Sequence, residues 1–520
     1  MSENLSDIVE DSARGGFFLF IGYFMSLIIL ALGSMIVGRL LGPEGFGIFS
    51  LALVVPSLIL GFLDPGVGAA LTRYTAKYRT EKRLDFAKSV LRTGLLYKVT
   101  VSALATIFCI TFSDTFATIF LNRPELGNFV KIASLTIFFQ TLFNYLGEAF
   151  SGLDRMEGNA LILNVEALAK TFLSPILIVF GLGVIGAILG HIASYMIAVV
   201  VGTIFFIKVY KGIGKQAENS FLENIKMMVS YGFPLYAANF LNTISSQFQV
   251  LILAYFATNS EIGNFYVAAR LLALVGVLVY PFSALFPAFS KVKVGSKELQ
   301  TLFKLSTKYT SLAIIPTTVL VMTISKDVVY AFYGRSYTFA PEYLTLYVLT
   351  NLYAGFGSIV FGHVFNGLGY TRLSFYSTLV NFIIFIPLVY ILTSKYSVLG
   401  TLYAIIISQT FSLAYNIWAS KKVLNLKFET ISSAKIYLSS FIAVVPLILF
   451  SDILSFPYWV LNLLIRGVAY FMVYLTLLPL FKTITLYDLE NIDALIKRHK
   501  LFKTIMDPII RYEKMLLKIY

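Results

Sequence analysis

Ionisable side chains that stand inside long apolar stretches are the first residues in this chain with chemistry to offer. They are Lys98, Lys170, Arg270, Arg466, Glu148 and Glu166, with Arg39 and Asp64 closer to the ends of their stretches. A charge at such a place costs several kcal/mol unless it faces protein or water, so each is a candidate site residue. The guanidinium of Arg270 suits a phosphate through paired hydrogen bonds, and its plain alternative is a salt bridge that pins packed helices. Lys98 has a stem long enough to reach nearby headgroups instead of staying buried. Glu166 and Lys170 are four residues apart and can pair along one helix face. Arg39 is a further candidate for binding. Asp64, Glu148 and His363 are the candidates for coupling to H+ or Na+, since carboxylates and imidazole can carry a proton, although capping and packing account for them equally well. Asn239, Asn242, Ser246 and Gln249 recur at steps of 3, 4 and 3, a polar stripe along one helical face. Amides and hydroxyls bind sugar hydroxyls without charge; they also tie helices together in lipid.

The elements that position these residues follow from composition. The chain has 520 residues, 58% hydrophobic and 13% charged, which excludes an ordinary water-soluble domain. Fourteen apolar runs can be drawn, at 16–37, 45–63, 89–111, 127–150, 160–181, 184–206, 231–257, 262–289, 309–324, 343–365, 373–393, 398–418, 436–451 and 458–481. Most are about 20 residues long, the length of a helix across a bilayer core of roughly 30 Å. Barrel strands would be about half that length and alternate in polarity. The single Cys109 permits no intrachain disulfide and no cysteine metal cluster. There is no phosphate loop of the Walker type, no HExxH motif and no evident cleavable signal. No metal or cofactor is expected apart from a coupling ion, and no enzymatic activity.

The net charge of +14 would suggest nucleic acid in a soluble protein, but its distribution argues for topology. With a cytoplasmic N-terminus, 31 of the 41 Lys and Arg fall in inside segments, six fall outside and four within runs. That asymmetry places both termini in the cytoplasm of a multi-pass protein of the cytoplasmic membrane, facing anionic lipid. The chain also repeats weakly at an offset of about 216 residues. Gly16-Phe17 aligns with Gly232-Phe233, Gly47-x-Phe49-x-x-Ala52 with Gly263-x-Phe265-x-x-Ala268, and Pro65 with Pro281. With small gaps Asp114 meets Asp327, Gly152 meets Gly367 and Gly186 meets Gly400. The expected architecture is an all-α membrane protein of 14 helices: two six-helix lobes as parallel repeats, plus two C-terminal helices. The lobes span 1–210 and 227–425, joined by a basic linker 211–226; the extra pair occupies 426–482. In the tail, 483–520, Leu489, Ile492, Leu495 and Ile496 recur at helical spacing among Lys and Arg, which predicts an amphipathic helix on the membrane surface.

Two stretches carry a family resemblance. Arg39-Leu40-Leu41-Gly42-Pro43-Glu44-Gly45-Phe46-Gly47 resembles the first extracellular turn of polysaccharide and oligosaccharide flippases. Asp64-Pro65-Gly66-Val67-Gly68-Ala69-Ala70-Leu71-Thr72-Arg73 is similar to that family's exit from the second helix. The family belongs to the multidrug/oligosaccharidyl-lipid/polysaccharide exporter superfamily. The resemblance implies two six-helix lobes around a cavity that takes a glycan linked through phosphate or pyrophosphate to a polyprenol. It further implies alternating access, a monomer in contact with membrane lipids and glycan-assembly enzymes, and no nucleic-acid partner. An ion-coupled exporter of organic cations is the alternative; its pocket should be acidic and aromatic, whereas the deepest charges here are mostly basic. An enzyme of glycan assembly would need a large external loop, and the longest external stretch, 113–126, is too short.

Overall fold

The computed structural model describes residues 5–212, 220–276, 288–450, 458–496 and 500–519. These residues are helical almost throughout, with no strand among them, as the apolar runs predict. The chain forms two compact units, Met1–Tyr266 with Ile386–Thr401, and Val267–Phe385 with Leu402–Tyr520.

In the first unit, α1 (Leu5–Ala52) holds the first run and the start of the second. Gly42 breaks it with φ 65 and ψ 179, and Pro43 begins the next stretch, where a missing N–H costs nothing. Then come α2 (Val54–Leu63), α3 (Val67–Thr80), α4 (Leu84–Thr111), α5 (Ser113–Leu121), α6 (Gly127–Ala133), α7 (Leu135–Gly152) and α8 (Met156–Leu177). A π-turn at Ile178–Leu182 leads into α9 (Gly183–Lys211), followed by α10 (Phe221–Phe256). The Arg123 guanidinium donates to the carbonyls of Ala254 and Ala257 and so closes the C-terminal end of α10. At the start of α11 (Asn259–Gly276), whose residues from Val267 belong to the second unit, Thr258 and Glu261 form a capping box, with the Glu261 carboxylate 2.8 Å from the Thr258 N–H. Val67, Leu71, Leu91, Tyr145, Phe150 and Phe206 form the core around α3, α4, α7 and α9.

The second unit has α12 (Lys297–Thr323), α13 (Ser325–Phe332), α14 (Ala340–Val348), a 3-10 segment Leu349–Phe356 and α15 (Ser358–Gly367). It continues through α16 (Thr371–Leu424), α17 (Thr430–Ile442), α18 (Val445–Leu449), α19 (Trp459–Leu480), α20 (Leu486–Ile496) and α21 (Lys500–Ile519). The middle of α16, 386–401, belongs to the first unit.

Among the described residues seven helical stretches are long and apolar enough to cross a membrane, or nine when two bent pairs are each joined. That number differs from fourteen partly because Gly22–Leu63, Met156–Lys211 and Thr371–Leu424 each hold two runs around a break. The breaks are at Gly42, at Gly181 and Gly183, and at Ser397, all with positive φ. Large apolar side chains such as Val179, Phe180 and Leu449 stand exposed, as lipid-facing residues do.

The tail forms two helices and not one. Thr485 caps α20, and the Asp488 carboxylate accepts from its N–H at 2.8 Å and from its hydroxyl at 2.7 Å. Lys308 on α12 reaches the same carboxylate at 2.6 Å, and the Tyr309 hydroxyl donates to its other oxygen at 3.2 Å. Burial pulls the Asp488 carboxyl up, but the hydrogen bonds from Lys308 and Thr485 and the Lys308 charge outweigh it and hold its pKa below the ordinary value. Leu489 is buried against this unit, so the tail docks on protein instead of lying only on lipid. The side chains of Ile492, Leu495 and Ile496, like residues 213–219 of the linker and Pro281, lie outside the described residues.

Candidate functional site

Three of the predicted residues meet in the first unit. Lys98 comes from the middle of α4, Asp64 follows the last residue of α2, and Glu148 lies one turn before the end of α7. The Lys98 ammonium sits 2.7 Å from the Asp64 carboxylate and 3.1 Å from that of Glu148. It does not reach out to headgroups: only 3% of its side chain is exposed, against 33% for Asp64. Asp64 also accepts the Gly68 backbone N–H at 3.1 and 3.2 Å, which caps the start of α3. A Cβ on Gly68 would overlap the Glu148 carboxylate, so the glycine leaves that carboxylate room to sit where it does. One Glu148 oxygen is buried without a hydrogen-bond partner. The cluster therefore offers one ammonium, two carboxylates and a bare acceptor oxygen. The lysine can exchange a carboxylate for an incoming anion, and the carboxylates can take up a proton or a monovalent cation. No group of three or more His, Cys, Asp or Glu among the described residues is arranged to hold a metal ion.

The other predicted residues are placed separately. Glu166 and Lys170 pair with each other on α8 at 3.4 Å, and the lysine also approaches the Tyr195 ring at 5.8 Å. Arg39 on α1 and Arg270 on α11 are exposed. On α10, Asn242 and Ser246 are exposed and Gln249 is half-buried, while the Asn239 side chain lies outside the described residues. The Ser246 hydroxyl turns back onto the Asn242 carbonyl at 2.9 Å. His363 is half-buried on α15. His191 is buried on α9 with its ring edge-on to Phe49 and Tyr195.

Elsewhere in the first unit helices touch through glycine. A Cβ on Gly47 would overlap the Asn259 carbonyl, and one on Gly263 would overlap the Pro43 carbonyl. Gly47 and Gly263 are repeat mates, and Pro43 and Asn259 are offset by the same 216 residues, so the contact is reciprocal. At the turn after α2, Gly66 and Gly232 oppose each other in the same reciprocal way. Glycine at these points lets backbone pack directly on backbone, the close approach that small residues allow between membrane helices.

Three features were not anticipated from sequence. Asp327 on α13 is buried and paired with Arg466 on α19 at 2.7 Å; both charges were visible, but their partnership across 139 residues was not. In the second unit a chamber of about 570 Å³ lies between α11, the 3-10 segment, α15 and α16. Gln409, Ser412 and Asn416 line it at steps of 3 and 4, the same helical spacing that marks the stripe on α10. A larger opening of about 740 Å³, at the basic ends of α3 and α9, is lined by Arg79, Arg155 and Lys208, with Arg79 tied to Asp154 at 2.8 Å.

Comparison with known proteins fits this arrangement. The sequence model of the family described as polysaccharide biosynthesis protein matches residues 12–293. The uncharacterized membrane protein MJ1068 of Methanocaldococcus jannaschii is 21% identical, covering 94% of this chain and 99% of its own length. The fold is similar to that of the lipid II flippase MurJ in an inward closed conformation: TM-score 0.72, 17% identity, covering 89% of this chain and 98% of that one. It is also similar to an inward-facing multidrug resistance MATE family transporter of the MOP superfamily, with TM-score 0.60, 16% identity and coverage of 77% and 94%.

Proposed function

The chain belongs to the polysaccharide biosynthesis protein family, and from that premise we propose that it is a flippase. Its cargo is an oligosaccharide linked through phosphate or pyrophosphate to a polyprenol, carried across the cytoplasmic membrane for cell-surface glycan synthesis. The observation that supports this reading best is the buried Lys98 ammonium held between Asp64 and Glu148. An anionic headgroup that enters past the part-exposed Asp64 competes with the two carboxylates for the lysine. The carboxylates released from the lysine then take up H+ or Na+, because two unpaired charges in a poorly hydrated site are costly. Cargo and coupling ion are thereby linked through one side chain. Arg39 and Arg270, both exposed, guide the phosphate, and both termini lie in the cytoplasm with the basic loops.

The mechanism of this reading is alternating access, with the two glycine contacts as its gates. Parting Gly47 from Asn259 and Gly263 from Pro43 opens one end, and parting Gly66 from Gly232 opens the other. The reading as an exporter of organic cations fits less well, because the Lys98 ammonium already occupies both carboxylates such a cargo would need.

The test is translocation of a fluorescent polyprenyl-pyrophosphate oligosaccharide in proteoliposomes, with ethidium efflux run in parallel. Wild-type protein should move the lipid-linked glycan, and Lys98→Met should move it at least tenfold more slowly at equal incorporation. Equal rates for the two proteins, or ethidium transport with no glycan transport, would refute the proposal.

A further inference from the structure

The second-unit chamber has a chemistry of its own. Its lining includes Thr350, Asn351, Ser358, Gln409, Ser412 and Asn416, with no Asp, Glu, Lys, Arg or His among the described lining residues. Its volume of about 570 Å³ falls within the roughly 300–1,000 Å³ typical of small-molecule sites. Some of the polar groups are already engaged. The Thr350 hydroxyl donates to the Tyr347 carbonyl at 3.2 Å, and Ser412 shares a hydrogen bond with Ser377 at 2.9 Å. The Tyr353 hydroxyl bonds Thr410 at 2.5 Å. The side chains of Asn351, Ser358 and Gln409 make no hydrogen bond to the described protein, and the Asn416 carbonyl oxygen is buried without a partner.

A buried acceptor that lacks a partner is costly, and a ligand hydroxyl aimed at it would recover that loss. Amides and hydroxyls supply both donors and acceptors, so each neighbouring ligand hydroxyl can be matched in either sense. The rings of Tyr347 and Tyr353 add flat apolar surface beside these groups. A charged ligand would find no counter-charge in the lining. A purely apolar ligand would leave four polar side chains unpaired.

We infer that this chamber binds uncharged, polyhydroxylated sugar units, one or a few pyranose rings long, through Asn351, Ser358, Gln409 and Asn416. The inference rests on the flippase reading for its biological sense, since it assigns the glycan part of the cargo to a neutral site separate from the Lys98 cluster. The chemistry of the lining stands apart from that reading.

The experiment uses full-length protein in lipid nanodiscs and two probes. The first is a panel of methyl glycosides of neutral hexoses and N-acetylhexosamines, with methyl glucuronoside as the charged control, read by saturation-transfer NMR. The second is radiolabelled polyprenyl phosphate without sugar, read by filter binding. Wild type should transfer saturation to at least one neutral glycoside and not to the glucuronoside. Gln409→Leu/Asn416→Leu should weaken that binding about tenfold or more, as loss of about one neutral hydrogen bond at each position predicts, while polyprenyl phosphate binding stays unchanged. Asn351→Asp is a second variant that adds charge with little change of shape, and it should also depress the neutral signal. No signal from any neutral glycoside, or a signal that both variants leave intact, overturns the inference even where polyprenyl phosphate still binds. A variant-sensitive sugar signal in a protein that fails to move lipid-linked glycan would uphold the inference and remove the flippase reading instead.

Discussion

The docked tail provides a titration whose sign and size follow from one side chain. Glu513 on α21 is 1% exposed, and neither of its carboxylate oxygens has a hydrogen-bond partner. It packs beside Tyr474 of α19, while the neighbouring Tyr512 hydroxyl meets Thr476 at 2.8 Å. Burial pushes the Glu513 carboxyl up to about 8 from an ordinary 4.5. Once α21 leaves, the carboxyl is in water and ionises at the ordinary value. Between those limits the docked state keeps a proton that the undocked state has lost. Docking is therefore strongest below pH 4.5 and weakens as pH rises, until the carboxyl is ionised in both states above about 8. At 1.36 kcal/mol per unit the whole interval is worth up to about 5 kcal/mol, of which about 3 kcal/mol is already lost at pH 7.

Glu513→Gln keeps the shape and cannot ionise, so it should dock with no such dependence. The assay is hydrogen exchange of the amides of 500–519 in nanodiscs between pH 6 and 9, with the Gln variant as the control at every pH. Wild-type protection should fall relative to the variant by about tenfold per pH unit up to about 8, then level off. The Asp488–Lys308 latch does not confuse the result, because Asp488 titrates below its ordinary value and stays ionised throughout this range. A wild-type to variant ratio that is flat from pH 6 to 9 would refute the reasoning.

Other perturbations act on single named contacts. Lys98→Met leaves two carboxylates facing each other and should lower stability by about 3–5 kcal/mol in a detergent melt, with much of the loss restored by adding Asp64→Asn and Glu148→Gln. Gly47→Ala forces a Cβ against the Asn259 carbonyl and should cost about 1–3 kcal/mol by the same melt, as should Gly263→Ala at the reciprocal position. Lys308→Ala takes the ammonium from buried Asp488 and should raise hydrogen exchange in 486–496 by an amount equivalent to about 1.5–3 kcal/mol. Ser397→Gly should stabilise the protein by about 1 kcal/mol in chemical denaturation, because Ser397 holds φ 51 and ψ −134 with its hydroxyl buried and unpartnered.

The helices were legible in the sequence because a bilayer forces each run to satisfy its own backbone, and the length of a run is read directly. The ionisable residues within those runs were legible for the same reason: their burial is costly wherever they point. Their partners were harder to read. Asp64 lies 34 residues from Lys98, and Glu148 lies 50 residues from it. Only the rotation and register of α2, α4 and α7, set by cores such as Val67, Leu91 and Tyr145, bring the three to one point. Glu166 and Lys170 were read as a pair because one helical turn joins them, with no tertiary packing needed. The spacing of Gln409, Ser412 and Asn416 was visible, but a polar face on one helix becomes a chamber only when α11, the 3-10 segment and α15 close around it.

What the two halves share is backbone, and what distinguishes them is side-chain chemistry. The weak repeat aligns Gly186 with Gly400, and the same step places Gly183 on Ser397. These two residues adopt nearly the same rare conformation, φ 51 and ψ −129 for the glycine against φ 51 and ψ −134 for the serine. A serine tolerates that geometry only under constraint, so the break must be imposed by the fold and not chosen by the residue. Gly47 with Gly263 follows the same rule, each pressed on the carbonyl that precedes its mate by four residues. Side chains carry no such symmetry: the first unit buries a lysine between two acids, and the second opens a chamber lined without charge. The constraint that shapes the backbone break therefore acts on both halves alike, while the chemistry of each unit is set by its own side chains.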